Sequence, residues 1–179
     1  MLFSQNIKNN WRYYFVKKLI WKKTKISKIK LVSPIEGEIL KLEDVPDPVF
    51  SQKMMGDGIA FFPIEGKVVA PADAKVINVF PTKHAIALET AEGLEILIHI
   101  GLDTINMKGE GFSVCVAEGD QVKAGDILVT YSLELVKEKA SSTITPMIIT
   151  NGDIVTHLEY HYSGQSVAGK TTVLVVTLK

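Results

Sequence analysis

The chain has little of what secreted and membrane-spanning proteins are rich in. It contains one cysteine, Cys115, among 179 residues, so no internal disulfide can form. No apolar run of the signal-peptide type opens the sequence, and the apolar stretches near its start are far too short to span a bilayer. These absences favour a cytoplasmic protein in a reducing environment. We expect Cys115, within a strand-like stretch at 113–117, to be a buried small hydrophobic residue.

Acidic residues are missing from one region. The first 30 residues contain no Asp or Glu but nine of the 20 Lys and Arg, which leaves 11 basic and 20 acidic residues in the remainder. We therefore predict a basic N-terminal tail, 1–28, followed by one acidic domain, 29–179. The tail mixes aromatic residues with lysines, as membrane-surface segments do, but no clean apolar stripe separates from a basic one on a helical wheel. Two interpretations stay open, peripheral contact with the inner face of a membrane and disorder. The acidic body would repel a polyanion, so no nucleic-acid partner is expected.

Beyond the tail, short β-branched runs alternate with Gly, Pro and Asp. This rhythm predicts an all-β fold, an antiparallel sandwich or barrel-like structure with very short helices. The predicted strands cover 29–32, 38–42, 58–62, 67–70, 75–80, 84–90, 94–100, 112–116, 127–131, 147–150, 154–158 and 172–178. One short segment, 133–140, has a helical pattern.

Two histidines lie in consecutive predicted strands. A loop centred between Ala91 and Glu92 would give opposed residues a constant index sum of 183, so that His84 faces His99 directly. Opposed Cβ atoms lie roughly 4.5–5.5 Å apart, close enough for both imidazoles to share a phosphoryl group or a metal ion. A three-residue loop would instead place the two side chains on opposite faces of the hairpin.

Neutral imidazole is a competent nucleophile near pH 7 when its second nitrogen carries the proton and is held by an acceptor. One histidine would attack phosphorus, and the other would stabilise the charge that develops on the transferred group. Thr82, Gly101 and Asp103 lie close enough in sequence to assist them. A carboxylate at Asp103 would order the turn but would repel phosphate if it were unpaired.

A zinc hydrolase is the chemical alternative, because His99 and Asp103 have a His-x-x-x-Asp spacing to which His84 would add a third ligand. His157 and His161 have the spacing of a helical zinc motif, but their surroundings predict a strand. We expect both to be surface residues.

The segment 43–58 is a long predicted loop with two prolines and four large apolar residues, Val49, Phe50, Met54 and Met55. Long ordered loops are often functional. These side chains either plug the core beneath the loop or form a docking patch.

Several motifs together identify a family. From about residue 30 to the end, the chain resembles the glucose-type enzyme IIA component of the bacterial sugar phosphotransferase system. The motifs are Ser33-Pro-Ile-Glu-Gly-Glu-Ile, Glu43-Asp-Val-Pro-Asp-Pro-Val-Phe, Gly56-Asp-Gly-Ile-Ala, Ala70-Pro-Ala-Asp, Thr82-Lys-His-Ala, His99-Ile-Gly-Leu-Asp-Thr, Lys108-Gly-Glu-Gly-Phe and Ser142-Thr-Ile-Thr-Pro.

The resemblance implies a phosphoryl carrier. His99 matches the histidine that takes phosphate from a histidine-containing phosphocarrier protein and passes it to a cysteine on the IIB domain of a sugar permease. His84 matches the helper that contacts the phosphoryl group, Thr82 supports the helper, and a backbone carbonyl near Gly101 orients His99. The implied docking rim comprises Val49, Phe50, Met54, Met55, Phe80, Ile86, Leu97 and Ile100.

The resemblance implies no metal requirement for transfer, although a partner that supplies a carboxylate would allow zinc to bind between His84 and His99 at an interface. A phosphorylation-dependent binding module uncoupled from transport is the functional alternative. The methionine start favours a stand-alone component, and the sugar is set by the permease rather than by this chain.

Overall fold

A computed structural model describes residues 26–179 and confirms the predicted all-β architecture. The strands within this range are β1 (Lys28–Val32), β2 (Gly37–Lys41), β3 (Asp57–Pro63), β4 (Lys67–Val69), β5 (Ala74–Val79), β6 (Ala85–Thr90), β7 (Glu95–His99), β8 (Phe112–Val114), β9 (Gln121–Val122), β10 (Ile127–Tyr131), β11 (Thr145–Ile149), β12 (Val155–Tyr160), β13 (Gln165–Ser166) and β14 (Thr172–Leu178). The helices are α1 (Pro48–Ser51), α2 (Leu133–Lys139) and three 3-10 helices, Leu42–Asp44, Thr104–Met107 and Gly152–Ile154. None of the helices within 26–179 combines the length and the apolar character needed to cross a membrane.

The strands form three antiparallel sheets. The largest has eight strands in the order β13-β2-β3-β11-β7-β6-β5-β9, and the two smaller sheets have the orders β1-β14-β12 and β4-β10-β8. The main core contains side chains from all three sheets, so one face of the large sheet is covered by the smaller ones. This is a β-sandwich.

The other face of the large sheet carries a smaller apolar cluster of Leu42, Val45, Phe50, Ala60, Ala85, Leu97, Leu102 and Ile148. Alternation along β7 separates the two layers, since Ile96 and Ile98 enter the main core while Leu97 enters the smaller cluster. By the same period of two, His99 projects on the side of Leu97. The fold thereby keeps the histidine face distinct from the main core.

The loop between β2 and β3 covers this second face. The Asp47 carboxylate accepts a hydrogen bond from Val49 N at 2.8 Å and caps α1, with Pro48 at the first helical position. Phe50 is buried in the smaller cluster, whereas Met54 and Met55 are exposed. Of the two roles predicted for the loop, Phe50 therefore takes the first and packs into the core beneath the loop. The two methionines remain at the surface.

The structure corrects the prediction for Cys115 and covers little of the predicted tail. Cys115 is exposed rather than buried, because its neighbours Val114 and Val116 pack against the core and alternation turns Cys115 outward. The predicted tail lies outside the described residues except for 26–28, and β1 begins at Lys28. Membrane contact through the tail stays a prediction.

Two neighbouring phenylalanines at the end of β3 allow a test of which face of the large sheet each side chain occupies. Phe61 is fully buried in the main core, and Phe62 on the opposite face is 45% exposed. We expect Phe61→Ala to lower the free energy of unfolding by about 3–5 kcal/mol, because it removes a buried ring and leaves a cavity in the main core. Phe62→Ala should cost about 1 kcal/mol or less. Urea denaturation measures both values, and equal losses would contradict the assigned faces.

Candidate active site

The two histidine rings lie against each other on the second face of the large sheet. Their centroids are 4.8 Å apart and the ring planes meet at 79°. The predicted pairing of the two imidazoles is therefore correct, but the predicted register is wrong. Ala85, not His84, lies opposite His99, which gives an index sum of 184 rather than 183.

The turn explains the register. Thr90 N donates to Leu94 O at 3.0 Å, and Gly93 N donates to Thr90 O at 2.9 Å, so the loop has three residues, with Gly93 at φ +84°. Three-residue hairpin loops with a left-handed glycine are a standard type. By strand alternation alone, this loop would have placed the two histidines on opposite faces.

Strand alternation does not fix the direction of the His84 side chain, because His84 lies just outside β6. β6 begins at Ala85, and Lys83, immediately before His84, has the left-handed φ of +58°. His84 still accepts a backbone hydrogen bond from Ile100 N at 2.7 Å, which keeps it beside the end of β7. The side chain can therefore leave the pleat and turn toward His99.

One hydrogen bond fixes the protonation of His99. Its Nδ1 lies 2.8 Å from the carbonyl oxygen of Gly101, which can only accept. Nδ1 must therefore carry the proton when the ring is neutral, and the lone pair is on Nε2. The geometry therefore leaves the lone pair of His99 Nε2 available, as a nucleophile requires.

The Gly101 carbonyl is itself held in place. Leu102 N, in the same peptide plane, donates to Ser142 O at 2.8 Å, so this peptide links Ser142 to His99. The Ser141 hydroxyl donates to the Asp103 carboxylate and ties the turn to the segment after α2. The Asp103 carboxylate is therefore paired, as its predicted role in ordering the turn requires.

His84 has a partner of its own. Thr82 Oγ1 lies 2.6 Å from His84 Nδ1. When the hydroxyl donates to Nδ1, the neutral ring carries its proton on Nε2. In that tautomer, His84 has a donor available for an oxyanion beside His99.

Burial keeps both rings neutral. Desolvation, reinforced by the nearby His99, lowers the pKa of His84 from 6.5 to about 4. Desolvation also lowers the pKa of His99, although the hydrogen bond to Gly101 and the charges of Asp47 and Asp103 oppose this shift. Neutral rings at pH 7 suit a nucleophile and a hydrogen-bond donor.

Aromatic rings flank the pair on both sides. Phe50 meets His99 edge-on with centroids 5.2 Å apart, and Phe80 meets His84 edge-on at 5.8 Å. The four rings form one row, Phe50–His99–His84–Phe80, which we name the aromatic row. Its apolar ends shield the imidazoles from water.

The predicted docking rim is partly wrong. Ile86 and Ile100 are fully buried in the main core, because alternation in β6 and the end of β7 turns them away from the histidine face. Leu97 lies on the correct face but is buried beneath the site in the smaller cluster. The exposed or half-buried members are Val49, Met54, Met55 and Phe80.

Sequence analysis also passed over an exposed apolar residue that follows the site in sequence. Ile105 lies in the 3-10 helix after Asp103 and is 56% exposed. An apolar residue in a turn that follows the candidate nucleophile by six positions was the available signal.

Among residues 26–179, no three His, Cys, Asp or Glu side chains are grouped to hold a metal ion. Asp103 is engaged by Ser141 instead of joining the two histidines, which removes the basis of the zinc hydrolase alternative. His157 lies exposed in β12 and half-buried His161 follows that strand, so they do not form a helical zinc motif.

Two glycines provide a matched test of the Gly101 carbonyl. Gly101 and Gly93 both have positive φ, but a Cβ on Gly101 would lie 2.7 Å from Thr104 Cγ2, whereas one on Gly93 would meet nothing within 4 Å. We expect each alanine variant to lose about 1–2 kcal/mol from left-handed strain, with a further loss for Gly101→Ala from the clash. Only Gly101→Ala should reduce the Nδ1-protonated tautomer of His99, measured by ¹⁵N NMR of the ring. An unchanged tautomer would contradict the orienting role of this carbonyl.

The pKa of His84 predicts a pH dependence of stability. The unfolded chain binds the proton near pH 6.5 and the folded chain near pH 4, so unfolding takes up a proton between these values. The contribution of His84 to the free energy of unfolding is fully present above about pH 6.5, where the ring is neutral in both states. It is lost as pH falls toward 4, by up to about 3 kcal/mol. We expect His84→Gln to remove that part of the slope in urea denaturation across this range. Identical slopes would contradict the shift.

Comparison with known proteins agrees with this site. Residues 29–155 match the family model of the phosphoenolpyruvate-dependent sugar phosphotransferase system, EIIA 1. Proteins named "PTS system glucose-specific EIIA component" are similar to the chain. The one from Halalkalibacterium halodurans is 50% identical over 149 residues, covering 83% of this chain and 86% of that protein. The one from Bacillus cereus is 47% identical over 163 residues, covering 91% and 99%.

The fold agrees as well. The solved structure of glucose permease IIA from Mycoplasma capricolum has a TM-score of 0.75 and 37% identity, covering 83% of this chain and 96% of that one. The chain therefore belongs to the EIIA 1 family of the phosphoenolpyruvate-dependent sugar phosphotransferase system and is a phosphoryl carrier of that system.

Proposed function

We propose that His99 Nε2 is the phosphoryl acceptor of this carrier, with a histidine-containing phosphocarrier protein as donor and the IIB-domain cysteine of a sugar permease as the next acceptor. The similar proteins named glucose-specific support glucose as the sugar. The observation that carries the assignment is the hydrogen bond from His99 Nδ1 to Gly101 O, which leaves Nε2 as the nucleophile.

The transfer exchanges one phosphorus–nitrogen bond for another. The bond between phosphorus and the donor's histidine breaks while the bond to His99 Nε2 forms, and the donor's imidazole leaves with the electron pair. Positive charge develops on the His99 ring, and the Gly101 carbonyl stabilises it through the Nδ1 proton. No proton needs to leave His99 during the attack.

His84 serves the transferred group rather than the nucleophile. Its ring is 4.8 Å from His99, and a proton on Nε2 donates to a phosphoryl oxygen as charge spreads over the group. Thr82 selects this tautomer through Nδ1. Phe50 and Phe80 exclude water from the transition state and slow hydrolysis of the loaded carrier.

We place the carrier in the cytoplasm, where it would meet its phosphoryl donor and the permease's IIB domain. Zinc at an interface stays a prediction: each histidine uses Nδ1 within this chain, so the two Nε2 atoms are the remaining ligands and a partner must supply the others.

The experiment is phosphorylation in the presence of phosphocarrier protein, its kinase and phosphoenolpyruvate, followed by intact mass. We expect one acid-labile phosphate on the wild type and none on His99→Ala. His84→Gln should accept phosphate but lose onward transfer to a IIB domain by roughly 100-fold or more, because the Gln amide does not reproduce the position of the His84 Nε2 donor in the transition state for that step. His157→Ala, an exposed strand histidine, is the control and should behave as wild type. Labelling that survives His99→Ala would overturn the assignment.

A further inference from the structure

An exposed phenylalanine lies on the histidine face outside the predicted docking rim. Phe62 is 45% exposed, and it follows Ala60, a member of the smaller cluster, by two positions in β3. Strand alternation therefore directs Phe62 to the same face as Ala60. Leu40 and Ile144, both half-buried, pack against the smaller cluster on this face. We name Leu40, Phe62 and Ile144 the β3 patch.

The register places this patch beside His99. Leu40 lies opposite Ala60, which lies opposite Pro146. Pro146 precedes Met147, the partner of Ile98, so the same register brings Pro146 opposite His99. One transverse row of the sheet therefore runs from Leu40 to His99, and Phe62 belongs to the neighbouring row on the same face.

The distance follows from sheet geometry. Phe62 is two strands and about two residues away from the His99 position, which corresponds to roughly 12 Å between the backbones. A partner protein typically covers about 800 Å² of each surface, an area with a radius of about 16 Å. An interface of that size centred on His99 would therefore include the β3 patch.

The charges around the β3 patch indicate the chemistry of the surface that would bind it. Exposed Glu38 lies opposite Phe62, and Asp47 and Asp103 act on His99 electrostatically. Such a surface fits a protein with an apolar contact area and basic side chains at its edge. We propose that the β3 patch binds the phosphocarrier protein that loads His99, a role that rests on the proposed function.

The test separates docking from chemistry. Phe62→Thr removes the ring but keeps a residue suited to a strand. We expect the KM for the phosphorylated carrier protein to rise roughly 5- to 30-fold, with little change in the rate at saturation. Labelling of His99 by phosphoramidate, a small donor that needs no docking surface, should be unchanged. Phe62→Tyr retains the ring and should restore the wild-type KM.

The matched control is Ile127→Thr, since Ile127 is 46% exposed and lies in β10 of another sheet. Its KM should remain that of wild type. A normal KM for Phe62→Thr, or an equal rise in Ile127→Thr, would overturn the role of the patch while leaving the carrier assignment intact. Failure of phosphoramidate to label His99 in wild type would instead overturn the proposed function.

Discussion

The hydrogen bond from His99 Nδ1 to the Gly101 carbonyl is the contact on which the site depends. It holds the ring orientation and places the free lone pair on Nε2. The carbonyl keeps its direction because Leu102 N, in the same peptide, donates to Ser142 O. Glycine is required at 101, where φ is positive and a Cβ would contact Thr104. The chemistry of one imidazole thus depends on backbone held from another part of the chain.

The same sheet supplies stability and reactivity on opposite faces. Its inner face contributes Ile96 and Ile98 to the main core, while the outer face carries the aromatic row above a smaller cluster. Partial burial on that outer face lowers the pKa of both His84 and His99. A neutral pair can sit 4.8 Å apart without the repulsion that two charged imidazoles would experience.

The success and the failures of sequence analysis have one physical cause. Period-two patterns located the strands because burial on one face selects apolar residues at alternate positions. The pattern could not locate the first residue of β6, and so it could not show that His84 lies outside that strand. Motif resemblance assigned Ile86 and Ile100 to a surface, although strand alternation directs them into the core. It also passed over Phe62, whose exposure depends on the register of neighbouring strands.

By itself, the sequence determined the family and the β-sandwich class, because these depend on residue types and spacing that the chain carries locally. The pairing of His84 with His99 required the folded turn, because His84 lies outside β6 and leaves the strand alternation. Only the tertiary structure decided which nitrogen of His99 is free, since Gly101 receives its direction from Ser142 through contacts distant in sequence. The same holds for the surface around the site. Exposure is set by how strands from separate parts of the chain align, and local pattern does not contain that information.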